Sequence, residues 1–298
     1  MFDVIIVGGS VAGLSAALNL GRMRRQVLIF DTGKPCNRFS HASHGFLTRD
    51  GVAPAELLQI GRDQLQPYTT VTFRSEAVTE IAPHPDGFRV ETATGTFNAR
   101  KILLATGLRD ELPPLLNVEQ FWGRSVFHCP YCDGWEWREQ PLAIYANGDF
   151  ALHLAKIVRN LTADLVVCTG EAATFSAADR QLLLANQIRI IETPVARLEG
   201  EGEQLEAIVF ADGARLARRA LYLRPTLLQH TDLAAKLGCT FTEMGFVQVD
   251  AMMRTSVAGV YAAGDMTTMH RQVIVAAAHG ATAGGALNME LSTEDFQR

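Results

Sequence analysis

Two spacings of apolar residues alternate along the chain. Short unbroken apolar runs, suited to buried parallel strands, are followed by stretches in which small and apolar residues recur at helical intervals. The first run spans Phe2 to Val7. Glycines interrupt it at Gly8 and Gly9, and a helix of small residues is expected from Ala12 to Arg22. Gln26 to Asp31 is the next strand, so the opening reads as a βαβ unit, the core of a doubly wound sheet. Residues 55–66 pattern as an amphipathic helix. Residues 71–104 hold short strands with a turn from Pro83 to Gly87. Lys101 to Gly107 is a further buried strand that ends in a tight turn.

The plan then repeats. Pro113 and Pro114 mark a hinge, a strand from Leu142 to Tyr145 leads through a turn into a helix from Ala151 to Leu161, and Ala163 to Cys168 is the next strand. After Arg224 and Pro225 the pattern returns to the first plan and finishes in a helix starting near Arg271. The expected fold class is α/β, with two Rossmann-like, doubly wound, three-layer nucleotide-binding domains, the second inserted in the first. Residues 1–113 and 225–298 make the discontinuous first domain and residues 114–224 the inserted one. A chain of 298 residues suits two domains that each bury a core.

Composition narrows the function classes. Apolar residues make up 48% and charged residues 20% of the chain, with a net charge of -5 and no basic tract for nucleic acid or a membrane surface. The apolar stretch from Val4 to Leu20 is not read as a leader, because Asp3 rather than a basic region precedes it and glycines break it. No run is long enough to span a membrane. Five cysteines, Cys36, Cys129, Cys132, Cys168 and Cys239, give one close pair and three singles. That is not a secreted disulfide framework; it points to a reducing cytoplasm, where a CxxC pair is catalytic or metal-binding.

Three motifs carry the chemistry. The turn Gly8, Gly9, Ser10, Val11, Ala12, Gly13 approximates a dinucleotide fingerprint, in which Gly8 permits the tight turn and Gly13 close helix–strand packing. Ser10 stands where the fingerprint has glycine. Asp31 lies 18 residues after Gly13, near the offset of about 20 expected for an acid that holds a ribose hydroxyl. Near the other end, Gly264 and Asp265 follow the apolar stretch Val260 to Ala263. Asp265 is placed to receive a ribityl hydroxyl, and the helix beginning near Arg271, Gln272 and Val273 to point its positive end at the flavin N1–C2=O edge. Between the two motifs lies Cys129, Pro130, Tyr131, Cys132, Asp133. Two flavin motifs bracketing a dithiol imply electron exchange between FAD and a disulfide.

With Ala105, Thr106, Gly107 and Gly134 added, these motifs occur in an order that resembles the low-molecular-weight thioredoxin reductase family of FAD-dependent disulfide oxidoreductases, nearly end to end. The resemblance implies that Cys132 is the flavin-side thiol and Cys129 the exchange thiol that meets the external substrate. It implies that Asp133 moves the proton, that the substrate is a thioredoxin-like protein or a small dithiol or disulfide, and that the protein is a homodimer. His128 flanks the pair, where it can lower a thiol pKa. In the segment Phe39 to Phe46, which this fold brings near the flavin, His44 is the preferred proton carrier over His41. No metal is expected, since zinc needs about four ligands and no second CxxC or His-x3-His is present. Cys36, Cys168 and Cys239 are expected to be inert thiols.

The inserted domain departs from the family. The family turn is Gly-x-Gly-x-x-Ala, with a basic His-Arg-Arg cluster that grips the NADPH 2′-phosphate. Here Ala146 replaces the first glycine, Asp149 is expected to cap the helix and occupy the anion site, and Cys168, Thr169, Gly170 and Glu171 stand where the basic cluster belongs. NADPH is therefore not expected. NADH remains an option, with Glu171 on its ribose. Relatives that keep flavin and dithiol but dispense with NADPH make reduced ferredoxin, or another low-potential donor, a candidate in its place. The residues leave three alternatives: an O2-using dithiol oxidase, an NADH-dependent disulfide reductase, and a flavin redox sensor without turnover. Asp133, in place of the histidine typical of the oxidases, favours the reductase direction.

Overall fold

The computed structural model describes residues 1–297. The chain forms two compact units. One comprises Met1–Arg38, Gly45–Arg109 and the residues from Leu227 on; the other comprises Phe39–His44 and Asp110–Thr226. The sequence reading placed residues 1–113 in the first unit throughout. The short segment Phe39–His44 instead sits with the second, because its side chains pair there, as described below.

The first unit is built on a seven-stranded sheet. Its parallel part runs Val71–Arg74, Val27–Phe30, Phe2–Val7, Gly95–Leu104, with Val260–Ala262 also paired to Gly95–Leu104. The hairpin Val78–His84 and Gly87–Thr92 extends the sheet antiparallel. Val4, Ile5 and Ile6 are fully buried, because side chains cover both faces of the sheet. On one face lie the opening helix Val11–Arg22 and the closing helix Val273–Phe296. These two helices approach closely because small residues face one another: a Cβ on Gly280 would lie 2.0 Å from the Ala12 carbonyl oxygen. Ser15 donates to the Ala277 carbonyl at 2.7 Å and Asn19 to that of Ala281 at 2.9 Å. Charge fastens the far end, with Lys101 Nζ 2.5 Å from both Glu290 and Glu294, and Arg25 2.6 Å from Asp295. The helix expected over residues 55–66 spans Pro54–Asp63.

The second unit has a five-stranded parallel sheet in the order Arg189–Ile191, Leu165–Cys168, Leu142–Tyr145, Ala220–Leu223, Val126–Phe127. The helix Gly148–Val158 covers one face, burying Leu152, Leu154 and Val158. A three-stranded antiparallel sheet, Val195–Glu201, Gln204–Phe210 and Arg215–Ala217, contributes to the core on the other. Its register and very existence lay outside the sequence reading. Among the described residues, no helix is long and apolar enough to cross a membrane.

Candidate active site

The first unit carries a cleft beside the opening glycine turn. Gly8 has φ +112°, and a Cβ there would lie 2.1 Å from the Ala105 carbonyl oxygen. On Gly13 it would lie 1.9 Å from the Gly8 carbonyl oxygen. Both positions need glycine for the reasons the fingerprint suggests. Ser10 is the N-cap of the opening helix in extended conformation, and its side chain makes no capping bond. The positive end of the helix is therefore not neutralised by its own cap, which suits a pyrophosphate. Asp31 lines the cleft and pairs with Arg62 at 3.3 Å. Ala105, Thr106 and Gly107 follow the strand Gly95–Leu104 and line it from the other side, Gly107 with φ +67°.

Gly264 and Asp265 close the same cleft. Gly264 has φ +80°, and Asp265 starts a short 3-10 turn. The Asp265 carboxylate is 3.5 Å from Arg271 Nε and 3.7 Å from Cys36 Sγ. Gln272 is the extended N-cap of the closing helix and Val273 its first residue. Cys36, expected to be an inert thiol, also lines the cleft, as do Lys34, Pro35 and His230, none of which was singled out in the sequence. Only their proximity in space marks them; no spacing rule reaches from residue 34 to residue 230. Cys36 thus differs from Cys168 and Cys239, which are buried, with thiols held protonated by burial, Cys168 up to about 12. The uncapped helix end, the glycine cradle and the acidic Asp265 together fit the residues that would hold FAD.

The second unit carries the dithiol. Cys129 and Cys132 are joined as a disulfide with Cα atoms 5.3 Å apart. They flank a single helical turn, Pro130–Asp133, which Pro130 starts at the position where its fixed φ suits a helix. Gly134 ends the turn where only glycine fits, since a Cβ would lie 2.2 Å from the Pro130 carbonyl oxygen. His128 stacks obliquely on Trp122, ring centroids 5.8 Å apart. Enclosure pushes the Asp133 carboxyl up from an ordinary 3.8 to about 7; the negative charge of Glu136 adds to this, and His44 opposes it. Tyr222 donates to the Asp133 backbone carbonyl at 3.5 Å, and burial holds its phenol protonated. His44 Nε2 lies 3.5 Å from Glu136 Oε1. His41 instead faces Arg124 and Glu203, the latter at 3.5 Å. One helical turn thus carries Cys132 and Asp133 next to Cys129, and His44 is paired with Glu136, a residue not singled out in the sequence.

The turn of the second unit differs from the expectation in one respect. Asp149 is not the cap. Asn147 is, its Oδ1 accepting from the Gly148 N–H at 2.8 Å and the Thr174 N–H at 2.9 Å, while its Nδ2 donates to the Ala172 carbonyl at 3.0 Å. Asn147 precedes the helix in extended backbone, where a side chain reaches the first N–H groups, whereas Asp149 is already inside the helix. Gly170 lies against Tyr145, and a Cβ there would sit 3.0 Å from the ring.

The chain matches the pyridine nucleotide-disulphide oxidoreductase family over residues 2–285. It is 32% identical to a thioredoxin reductase, sirT, of Leptosphaeria maculans, over 99% of this chain and 96% of that one. It is 30% identical to the thioredoxin reductase tcpT of Claviceps purpurea, over 97% and 94%. A crystal structure of an oxidoreductase from Agrobacterium tumefaciens superimposes with a TM-score of 0.92 at 35% identity, covering 98% of this chain and 99% of that one. With the fold, the glycine cradle and the CxxC pair in agreement, the chain belongs to the pyridine nucleotide-disulphide oxidoreductase family and is a thioredoxin reductase-like, FAD-dependent disulfide oxidoreductase.

Proposed function

We propose that this enzyme passes two electrons from FAD through the Cys129–Cys132 pair to a thioredoxin-like protein or small-molecule disulfide, and that NADPH is not its electron donor. The observation that carries the first half is the closed Cys129–Cys132 pair beside a carboxyl that titrates near neutrality. When bound, FAD supplies a two-electron carrier. Gly8, Ser10, Gly13, Asp31, Ala105, Thr106, Gly107, Gly264, Asp265, Arg271, Gln272 and Val273 are the residues that would hold it.

The residues of the pair do the exchange. In the reduced state the Cys129 thiolate attacks one sulfur of the partner disulfide, forming a mixed disulfide and expelling the other partner sulfur as a thiolate. Asp133, its carboxyl pushed up to about 7 by burial, gives that thiolate its proton. The Cys132 thiol then loses its proton to the Asp133 carboxylate and displaces the remaining partner sulfur, closing the Cys129–Cys132 bond. A carboxyl with an ordinary pKa would be ionised at pH 7 and have no proton to give.

Asn147 supports the second half. Its side-chain carbonyl oxygen takes the first N–H of the helix, that of Gly148, which a pyrophosphate would use, and no Arg or Lys stands at Cys168 to Glu171 to meet a 2′-phosphate. A low-potential protein donor such as ferredoxin fits this arrangement. An NADH-dependent reductase and an O2-using dithiol oxidase are the rivals that the same experiment separates. We expect a cytoplasmic homodimer, with residues 114–224 acting as the inserted domain.

The test is anaerobic flavin absorbance of the purified holoenzyme. Neither NADPH nor NADH should bleach it, and a small dithiol should. Bleaching by either nucleotide would sink the donor assignment. Retained turnover in a Cys132→Ser variant would sink the dithiol assignment. Peroxide release on admitting air to the dithiol-reduced enzyme, faster than transfer to a thioredoxin, would move the reading to an oxidase.

A further inference from the structure

The cleft in the first unit has two lobes, and charge is spread unevenly along it. Asp31 and Glu76 line one lobe and Asp265 the other, while Ser10, Lys34, Pro35, Ala105, Thr106 and His230 line both and so form the neck between them. The chain that follows the strand Val27–Phe30 runs along the cleft. Thr32 lines only the first lobe and Cys36 only the second, which puts Lys34 at the crossing. Each carboxylate of the cleft already has a cation: Asp31 pairs with Arg62 at 3.3 Å, Glu76 with Arg74 at 3.4 Å and Asp265 with Arg271 at 3.5 Å. The Lys34 side chain is exposed and makes no ion pair or hydrogen bond among the described residues. The uncapped end of the helix Val11–Arg22, at Ser10, opens onto the same neck. His230 shares the neck, its backbone N–H donating to the Gly107 carbonyl at 3.3 Å.

We propose that Lys34 is the side chain that binds the pyrophosphate of FAD, meeting it at the neck together with the uncapped helix end at Ser10. The inference deepens the reading of this cleft as the FAD site and rests on it. The connectivity of FAD places the contact. Its pyrophosphate is the link between the adenosine ribose and the ribityl chain. With the adenosine ribose at Asp31 and the ribityl chain at Asp265, that link crosses the neck. It brings a negative charge on each phosphate. The helix end offers the equivalent of about half a positive charge. The three arginines around the cleft are spent on carboxylates, so Lys34 is the cation left to balance the remainder. A lysine suits the place, because a compact ammonium on a flexible stem can meet either phosphate without a fixed fork geometry.

The experiment measures the FAD that the purified holoenzyme releases on serial dilution, free flavin being separated by ultrafiltration and read by absorbance. Lys34→Met should raise the FAD dissociation constant about tenfold, near the lower end for a hydrogen bond to a charged group because the side chain stands open to solvent. Lys34→Arg should restore most of the affinity, and Lys34→Glu should weaken it beyond Lys34→Met. Raising the salt from about 0.05 M to about 0.5 M should loosen FAD more in the parent than in Lys34→Met, because ions screen an exposed pair of charges. Damage to the fold would not reproduce that order or that difference, and Lys34 is exposed, so its substitution leaves the core intact. Equal affinity in the parent and Lys34→Met, the same salt dependence in both, or no recovery in Lys34→Arg would overturn the proposal. Failure of the FAD reading itself looks different: the purified parent would then carry no flavin to release.

Discussion

The chain builds a strand, a turn and a helix twice, and the two turns end in opposite states. At the first, the strand Phe2–Val7 runs into Gly8 and the helix Val11–Arg22 begins at Ser10, whose side chain makes no cap. At the second, Leu142–Tyr145 runs into Asn147 and the helix Gly148–Val158 begins with its first N–H, that of Gly148, already taken by the Asn147 side chain. Both are legitimate ways to start a helix. The difference teaches that a nucleotide site is not written in the strand–turn–helix plan itself. It depends on which group satisfies the first amides of the helix.

The largest effect should come from spoiling the first turn. Gly13→Ala puts a methyl group 1.9 Å from the Gly8 carbonyl oxygen, so backbone must move. We expect a loss of about 3 kcal/mol or more in the first unit, together with loss of FAD from the purified protein. Thermal melting and the flavin-to-protein absorbance ratio measure the two. Full flavin occupancy in this variant would remove the turn from the binding site.

Next in size is Asp133, where the second unit keeps its chemistry instead of at its nucleotide turn. Its carboxyl is raised from 3.8 to about 7, chiefly by burial, so the folded state holds a proton that the unfolded chain sheds. The stability contributed by this proton is complete below about pH 4, is lost as pH rises to about 7, and is flat above. Asp133→Asn cannot ionise. It should melt higher than the parent at pH 8, by about 1–3 kcal/mol, and not at pH 4, while turnover drops. Parallel melting curves of parent and variant across that window would refute the buried-acid argument.

Asn147→Ala sharpens the comparison from the other side. Losing the cap should cost about 1 kcal/mol of stability. It should not create NADPH oxidation, since Cys168 to Glu171 still offer no cation. NADPH-driven flavin bleaching in this variant would identify Asn147 as the sole barrier. The smallest effect belongs to Asp149→Asn, expected to fall within about 0.5 kcal/mol, because the aspartate is not the cap.

Much of this was legible in the residues. Unbroken apolar runs located the parallel strands, since burial on both faces leaves few polar positions. Gly8, Gly13 and Gly264 were legible because a close backbone approach or a positive φ admits little else. The three-stranded sheet Val195–Ala217 was not, because its strands mix exposed and buried positions without a clean alternation. The pairing of His44 with Glu136 was invisible for a different reason: the partners lie 92 residues apart, and nothing local ties them. The misplaced cap is the instructive error. Charge drew attention to Asp149, but geometry favours the residue one step before the helix, and an uncharged amide there does the work.

The closing helix has a consequence for how the chain is made. The first unit is incomplete until Val260–Ala262 has entered its sheet and Val273–Phe296 has settled against Val11–Arg22. Those segments leave the ribosome after every strand of the second unit. The second unit, whose strands all lie before Thr226, is by then fully synthesised and able to fold ahead of its neighbour. For much of that time the first unit waits with its opening helix uncovered, and Gly280 and Gly284 are the points at which that wait ends.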